Sequence, residues 1–244
     1  MVPLHRAALL VCGLVLLHVP AGAAVLIHEY ALRGSLHDNL GGDALSTLGG
    51  QITALGYVFA ANQGLGFSSR DFTPTHYSIE LSFKLDSIRG TTKIIDFHNL
   101  TADAGLYQQD GRLEFSPSAS ASALDFTSGT DVHVVLTLDG TSNLVTAYVN
   151  GQQRFSFYDK QLLAAPPGFS NKPTFFVNDS NEANASGGTA NYLRIFNGAL
   201  TAGEVNALFA AGAPIAVPEP STLVLLTIGS LTAVVASRRR RNRQ

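Results

Sequence analysis

Two kinds of chemistry are within reach of the side chains in this 244-residue sequence: acid–base work by carboxylates, and coordination of a hard cation by oxygen atoms. Cleavage of a glycosidic bond with retention needs two carboxyl groups about 5 Å apart. Alternate positions of one strand supply that spacing, because they share a face. Glu80, within Tyr77-Ser78-Ile79-Glu80-Leu81-Ser82-Phe83-Lys84-Leu85, is the nearest candidate, but its own face carries only Ser82 and Lys84. Nucleophilic catalysis has less to work with. The chain has no Gly-x-Ser-x-Gly elbow, and its lone cysteine, Cys12, lies in an N-terminal apolar run. Five histidines follow that run (His28, His37, His76, His98 and His133), none spaced as a metal pair. Strand alternation points His133 outward, opposite Val132 and Val134. Oxygen donors are richer. Asn178-Asp179-Ser180-Asn181-Glu182 is the densest cluster, and Asp103 stands in the loop before Leu106. Asp179 and Asp103 bring the carboxylate oxygens that a hard cation would need at these two places. The plainer reading is turn chemistry, where Asn, Asp and Ser dominate anyway.

Composition narrows the function classes. Hydrophobic residues make up 45% of the chain against 14% charged, which excludes wholesale disorder, and 23 Gly with 10 Pro argue for many turns. Setting aside Arg6 at one end, and Glu219 with Arg238 to Arg241 and Arg243 at the other, leaves 10 basic and 17 acidic residues between, a net charge of −7. A body that acidic repels phosphate backbones and excludes nucleic acid as a partner. Without Trp, any aromatic contact to a sugar falls to Tyr and Phe.

Both ends carry addressing signals. Arg6, the apolar run Ala7 to Val19 and the small-residue exit Ala21-Gly22-Ala23 form the three parts of a secretory signal peptide, with Ala21 and Ala23 at the cleavage site. The competing reading is a buried N-terminal helix. At the other end, Val217-Pro218-Glu219-Pro220 precedes an uncharged stretch from Ser221 to Ser237, closed by Arg238-Arg239-Arg240-Arg241. As a helix those 17 residues span about 25 Å, just short of a roughly 30 Å hydrocarbon core. The arginines hold that end on the cytoplasmic side. Taken alone, the pattern also suits a plain tail anchor.

Between the ends, short alternating runs recur with turn residues among them. Tyr77–Leu85 reads as a half-buried strand, and Lys93-Ile94-Ile95-Asp96-Phe97 as another. Leu106-Tyr107-Gln108 and Leu113-Glu114-Phe115 flank an Asp110-Gly111 hairpin turn. Val132–Leu138 pairs with Val145–Val149, and Asn150-Gly151 turns the chain into Arg154–Phe157. Thr174–Val177 and Asn191–Phe196 complete the set. Ser116 to Ala123 reads as a small-residue loop or a weak edge strand. Thr201-Ala202-Gly203-Glu204 is a capping box opening one helix with an apolar stripe of Val205, Leu208 and Phe209, stopped at Gly212. The pattern predicts an all-β, antiparallel β-sandwich with one short C-terminal helix, plus an N-terminal signal helix and a C-terminal transmembrane helix.

Two resemblances attach to these residues. The Pro-Glu-Pro motif, single span and terminal arginines resemble the PEP-CTERM sorting tail of Gram-negative bacteria. That implies an exosortase-type membrane processing enzyme as partner and delivery to the cell surface or extracellular matrix. The runs Ala147-Tyr148-Val149-Asn150-Gly151-Gln152 and Asn191 to Val205 resemble laminin-G-like, concanavalin-type jelly rolls. Ile94 to Leu100 with Asp103 to Tyr107, and the opening Tyr30-Ala31-Leu32, are similar to a bacterial subgroup of the same fold. The chain then divides into a signal peptide (1–23), a jelly-roll domain (24–212), a linker with the sorting motif (213–220), a transmembrane helix (221–237) and a basic cytoplasmic tail (238–244). The resemblance is specific for the fold and leaves lectins, adhesion modules and hydrolases alike open. With no carboxylate set or nucleophile in place, the expected protein is non-enzymatic and binds extracellular polysaccharide or a surface protein. The calcium that some relatives hold at the sandwich rim makes Asp179 and Asp103 its candidate ligands here. Asn178 stands where those relatives carry an acid. The alternative is a polysaccharide-acting hydrolase or lyase with an unrecognised site.

Overall fold

The computed structural model describes residues 24–165, 172–178 and 185–212. The expected signal peptide, Asp179, the sorting motif, the expected membrane span and the terminal arginines lie outside them. Among the described residues no helix is long and apolar enough to cross a membrane.

In chain order the strands are β1 (Val25–Tyr30), β2 (Ser46–Leu48), β3 (Gln51–Thr53), β4 (Gly56–Phe59), β5 (Gly64–Gly66), β6 (Tyr77–Leu85), β7 (Thr91–Asp96) and β8 (Gly105–Gln109). There follow β9 (Arg112–Ser116), β10 (Ala119–Ser120), β11 (Val132–Asp139), β12 (Leu144–Val149), β13 (Gln152–Tyr158), β14 (Thr174–Phe175) and β15 (Gly188–Asn197), then α1 (Ala202–Ala211). One sheet has eight strands in the order β13-β12-β11-β6-β15-β4-β3, with β1 also paired to β15; the other has seven, β10-β9-β8-β7-β14-β5-β2. The expected antiparallel sandwich is the observed fold.

The core lies between the sheets. Ile79, Leu81 and Phe83 of β6, Val134 and Leu136 of β11 and Leu193 and Ile195 of β15 meet Ile94, Ile95, Leu106, Leu113 and Phe115 from the opposite layer. Phe176 stacks on Phe59 at 4.5 Å and meets Phe83 edge-on at 5.1 Å. It does so from a backbone φ of 67°, outside the extended region, so β14 stops at Phe175 and does not reach Val177 as the sequence suggested. Ser116 to Ala123 contains the short edge strand β10, one of its two expected forms.

The outer face of the eight-stranded sheet is covered as well. Thr201 and Glu204 close the expected capping box on α1, whose Val205 packs with Val135, Tyr148, Phe196 and Leu200 in a second, smaller core. Only Val205 of the expected stripe is fully buried; Leu208 is half-buried and Phe209 is 43% exposed. This cover changes the reading of two strands. Ser78 and Glu80 point away from the main core yet are buried, so the first half of β6 is dry on both faces. His133 points outward as alternation requires, but it too is buried.

The buried outward groups neutralise one another. Glu80 Oε1 accepts from His133 Nε2 at 2.9 Å, from the Tyr192 hydroxyl at 3.2 Å and from Arg194 at 3.4 Å, while Arg194 Nε donates to Glu29 at 2.8 Å. Burial, then the charge of Glu80, raises the Tyr192 phenol well above its ordinary range. Removing Glu80 leaves His133 Nε2 and the Tyr192 hydroxyl buried without their acceptor, at roughly 1–3 kcal/mol each, while Arg194 keeps Glu29. Glu80→Ala is therefore expected to lower folding free energy by about that much in denaturant titration. A loss well under about 1 kcal/mol would show that the cluster is not holding the outer face.

Candidate functional site

The outer face of the seven-stranded sheet presents an open groove of about 220 Å³ lined by Thr91, Asp103, Tyr107, Gln109, Glu114 and Ser116. Hairpin register builds half of it. From the Asp110-Gly111 turn outward, Gln109 faces Arg112, Gln108 faces Leu113 and Tyr107 faces Glu114. Alternation then sends Leu106, Leu113 and Phe115 into the core and leaves Tyr107, Gln109, Glu114 and Ser116 outside.

A bulge builds the other half. In β7 the pairing jumps from Lys93 opposite Tyr107 to Ile95 opposite Leu106, so Ile94 is an extra residue. The extra residue lets two consecutive isoleucines enter the core and turns Lys93 and Asp96 outward, side by side. Their side chains are fully buried, with Lys93 Nζ 2.8 Å from Asp96 Oδ2 and 5.1 Å above the Tyr107 ring. The other Asp96 oxygen accepts the backbone N–H of His98 and of Leu100, each at 2.9 Å. It thereby fixes a loop in which Asn99 and Leu100 hold φ of 53° and 60°. That loop delivers Asp103, whose Oδ1 accepts from the Tyr107 hydroxyl at 2.7 Å.

Of the two expected calcium ligands, Asp103 stands in this groove and Asp179 lies outside the described residues. Among the described residues no group of three or more His, Cys, Asp or Glu side chains is arranged to hold a metal. Calcium at Asp103 would draw on Glu114, carbonyls and water for the rest of its shell. Glu80, the best carboxylate by strand alternation, is buried on the other sheet and does not meet Asp103. Sequence reasoning missed Glu114 and Tyr107 as site residues. The signal was present in the Asp110-Gly111 hairpin, which pairs them directly once its register is counted out.

Two facing antiparallel sheets and, among the described residues, one helix covering an outer face define a jelly roll. The laminin-G model of the concanavalin A-like lectin/glucanases superfamily matches residues 59–206, more than half of the 244, and the chain belongs to that superfamily. The PEP-CTERM protein-sorting motif matches residues 216–241, which marks the chain for export and membrane-associated sorting. Comparison with curated proteins returns no match. Solved structures share the fold at low identity. Domain 4 of a GH43 extracellular arabinanase from Geobacillus stearothermophilus, in complex with arabinotriose, is 19% identical with a TM-score of 0.56, covering 76% of this chain and 98% of that one. The ligand binding domain of botulinum neurotoxin serotype D, in complex with N-acetylneuraminic acid, is 14% identical with a TM-score of 0.59, covering 76% of this chain and 50% of that one. The chain thus spans about half the length of the neurotoxin domain.

Burial, followed by the negative charge of Asp103, raises the Glu114 carboxyl above its ordinary value. The folded state binds that proton more tightly than the unfolded chain does, so ionised Glu114 subtracts from stability above its folded pKa. The penalty disappears as the pH falls below the unfolded carboxylate value, about 4.3. Glu114→Gln is neutral throughout. It is expected to raise the melting temperature at neutral pH, with the gain shrinking to nothing on acidification through that range. A gain that persists in acid would show that charge at Glu114 is not its source.

Proposed function

We propose that this chain is an exported surface or extracellular-matrix protein whose jelly roll binds carbohydrate, in adhesion or in a biofilm matrix. On this reading an exosortase-type enzyme processes its tail at Val217 to Pro220, with the membrane span held in place by Arg238 to Arg241 until then. The single observation that supports the binding half is the groove of Asp103, Tyr107, Gln109 and Glu114, open to solvent and lined with hydrogen-bonding groups fixed by a buried scaffold. Sugar hydroxyls both donate and accept, and carboxylates, an amide and hydroxyls answer both roles. The volume, below the roughly 300–1,000 Å³ of small-molecule clefts, suits one or two sugar rings of a longer chain crossing the sheet. A surface or matrix protein partner is the other ligand class the fold accommodates.

A second reading has its own observation. Glu114, whose carboxyl is raised above its ordinary value by burial and then by the charge of Asp103, lines the same groove as Asp103, and a pair of carboxyls in one site is what general acid–base cleavage of a polysaccharide requires. The two readings part in one experiment. The full chain is screened on a glycan array and, in parallel, for turnover of every polysaccharide it binds. Binding without turnover is the expected result; cleavage that disappears in either Glu114→Gln or Asp103→Asn establishes the hydrolase or lyase instead.

Calcium as a structural ion at Asp103 and Asp179 is testable by melting temperature with and without millimolar calcium, because a ligand selective for the native state must raise it. A rise abolished by Asp103→Asn assigns the ion to this rim; no rise removes both residues as ligands.

A further inference from the structure

On the opposite sheet, beside α1, lies a second recess of about 240 Å³ that plays no part in the groove. Its floor is His133 and Tyr192, its wall Phe209, and its rim Arg33, Asn150, Asn191 and the carboxylate of Asp131, which Asn191 engages. Several of these groups are left with unused bonding capacity. Asn191 is the extra residue of a bulge in β15, between Ala190 opposite Phe83 and Tyr192 opposite Ser82, and bulges re-aim the side chain they insert. Its Nδ2 donates to Asp131 at 2.9 Å and to Ser82 at 3.3 Å, which uses both amide protons and leaves Oδ1 as a free acceptor. Asn150, at the left-handed position of the β12–β13 turn with φ of 50°, accepts the His133 backbone N–H on its Oδ1 at 3.0 Å and keeps Nδ2 as a donor. His133 Nδ1 is buried with no hydrogen-bond partner among the described residues.

Two further features give the ligand its character. Phe209 keeps a large ring 43% exposed, and the turn at Gly151 packs so closely on it that an added Cβ would come within 3.2 Å of its Cδ1. The ring is thus held at the recess and not spent in the second core. Arg33 is exposed and, unlike Arg154 and Arg194, has no ion pair among the described residues. An aromatic face, one donor, one acceptor and one uncommitted guanidinium match a ring that is apolar on one side, hydroxylated at its edge and carries a carboxylate.

We propose that this recess binds a single uronic acid unit of an acidic polysaccharide. The sugar's C–H face lies on Phe209, its hydroxyls engage Asn150 Nδ2 and Asn191 Oδ1, and its carboxylate pairs with Arg33. The domain's net negative charge offers no long-range attraction to a polyanion, so recognition comes from these local contacts. The inference rests on glycan recognition as the domain's task but not on the groove of the other sheet.

The test is titration calorimetry of the full chain with trigalacturonic acid and with its fully methyl-esterified form, in which each carboxylate charge is replaced by a neutral ester carrying one methyl group. The acid is expected to bind about tenfold or more tightly than the ester. Arg33→Ala is expected to bring the acid down to the ester's level, and Phe209→Ala to weaken both. Arg89→Ala removes an exposed arginine elsewhere and is expected to change neither. Retained circular dichroism in each variant shows that loss of binding is not loss of fold. Equal binding of acid and ester, no effect of Arg33→Ala and Phe209→Ala, or an equal loss in Arg89→Ala would overturn the proposal. So would tighter binding of a peptide with the sequence of residues 216–220, which would make a protein segment the ligand. Failure here with array binding intact leaves the groove standing, and uronate binding with a silent neutral array does the reverse.

Discussion

Three buried aspartates hold loops of this domain, and the groove at Asp103 follows from one of them, Asp96. Asp38 accepts the N–H groups of Glu29, Leu40 and Gly42 and the ring of His28 at 2.7 Å. Asp96 accepts from Lys93, His98 and Leu100. Asp159 accepts from the backbone of Leu163 and Ala164. Because the lone cysteine lies at position 12, residues 24–212 have no disulfide available to close a loop. A carboxylate that gathers two or three backbone donors does that work locally, through charge-assisted bonds stronger than neutral ones. The anchors are linked, too. His98 reaches Leu163 O at 3.0 Å and the Tyr77 hydroxyl donates to Ala164 O at 2.9 Å, so the loops held by Asp96 and Asp159 brace each other. Gly42 belongs to the same device: a Cβ there would sit 2.4 Å from the Asp38 carboxylate.

The fold class was legible because alternation is a local property. β6, β11, β12 and β15 read directly from period-two patterns, and the α1 boundaries from Thr201, Glu204 and Gly212. What stayed hidden was the environment of the polar half of each strand. Ser78, Glu80 and His133 look like solvent-facing positions until α1 and the Gly198–Leu200 turn before it are known to lie on that face, and no window of sequence contains that information. The early strands β2 to β5 were also hard to see. They are three or four residues long, too short to carry much periodicity, and β2 is exposed throughout.

The candidate sites divide along the same line. Asp103 was visible as an oxygen-bearing loop residue. Glu114 and Tyr107 required a register, and the β7 bulge that raises Lys93 and Asp96 beneath them required the partner strand. The recess beside α1 draws on β11, β12, β15, the helix and the segment after β1, parts of the chain that only the tertiary fold assembles. Among the described residues the interior is filled, and the two recesses lie on the outer faces, each lined by polar residues that the core does not need.

The inserted isoleucine at position 94 also constrains how this lineage can vary. Deleting one residue from β7 would restore plain pairing with β8, but strict alternation would then drive Lys93 or Asp96 toward the aromatic interior, or expel an isoleucine from it. Shortening is thus penalised at the middle of a strand, where point changes between similar apolar side chains are tolerated. Around β10, where two paired residues finish the sheet, length is far less restricted. Among natural variants of this domain, gaps should cluster near β10 and be missing from β7, so that the spacing from Thr91 to Phe97 stays constant even where the amino acids between them differ.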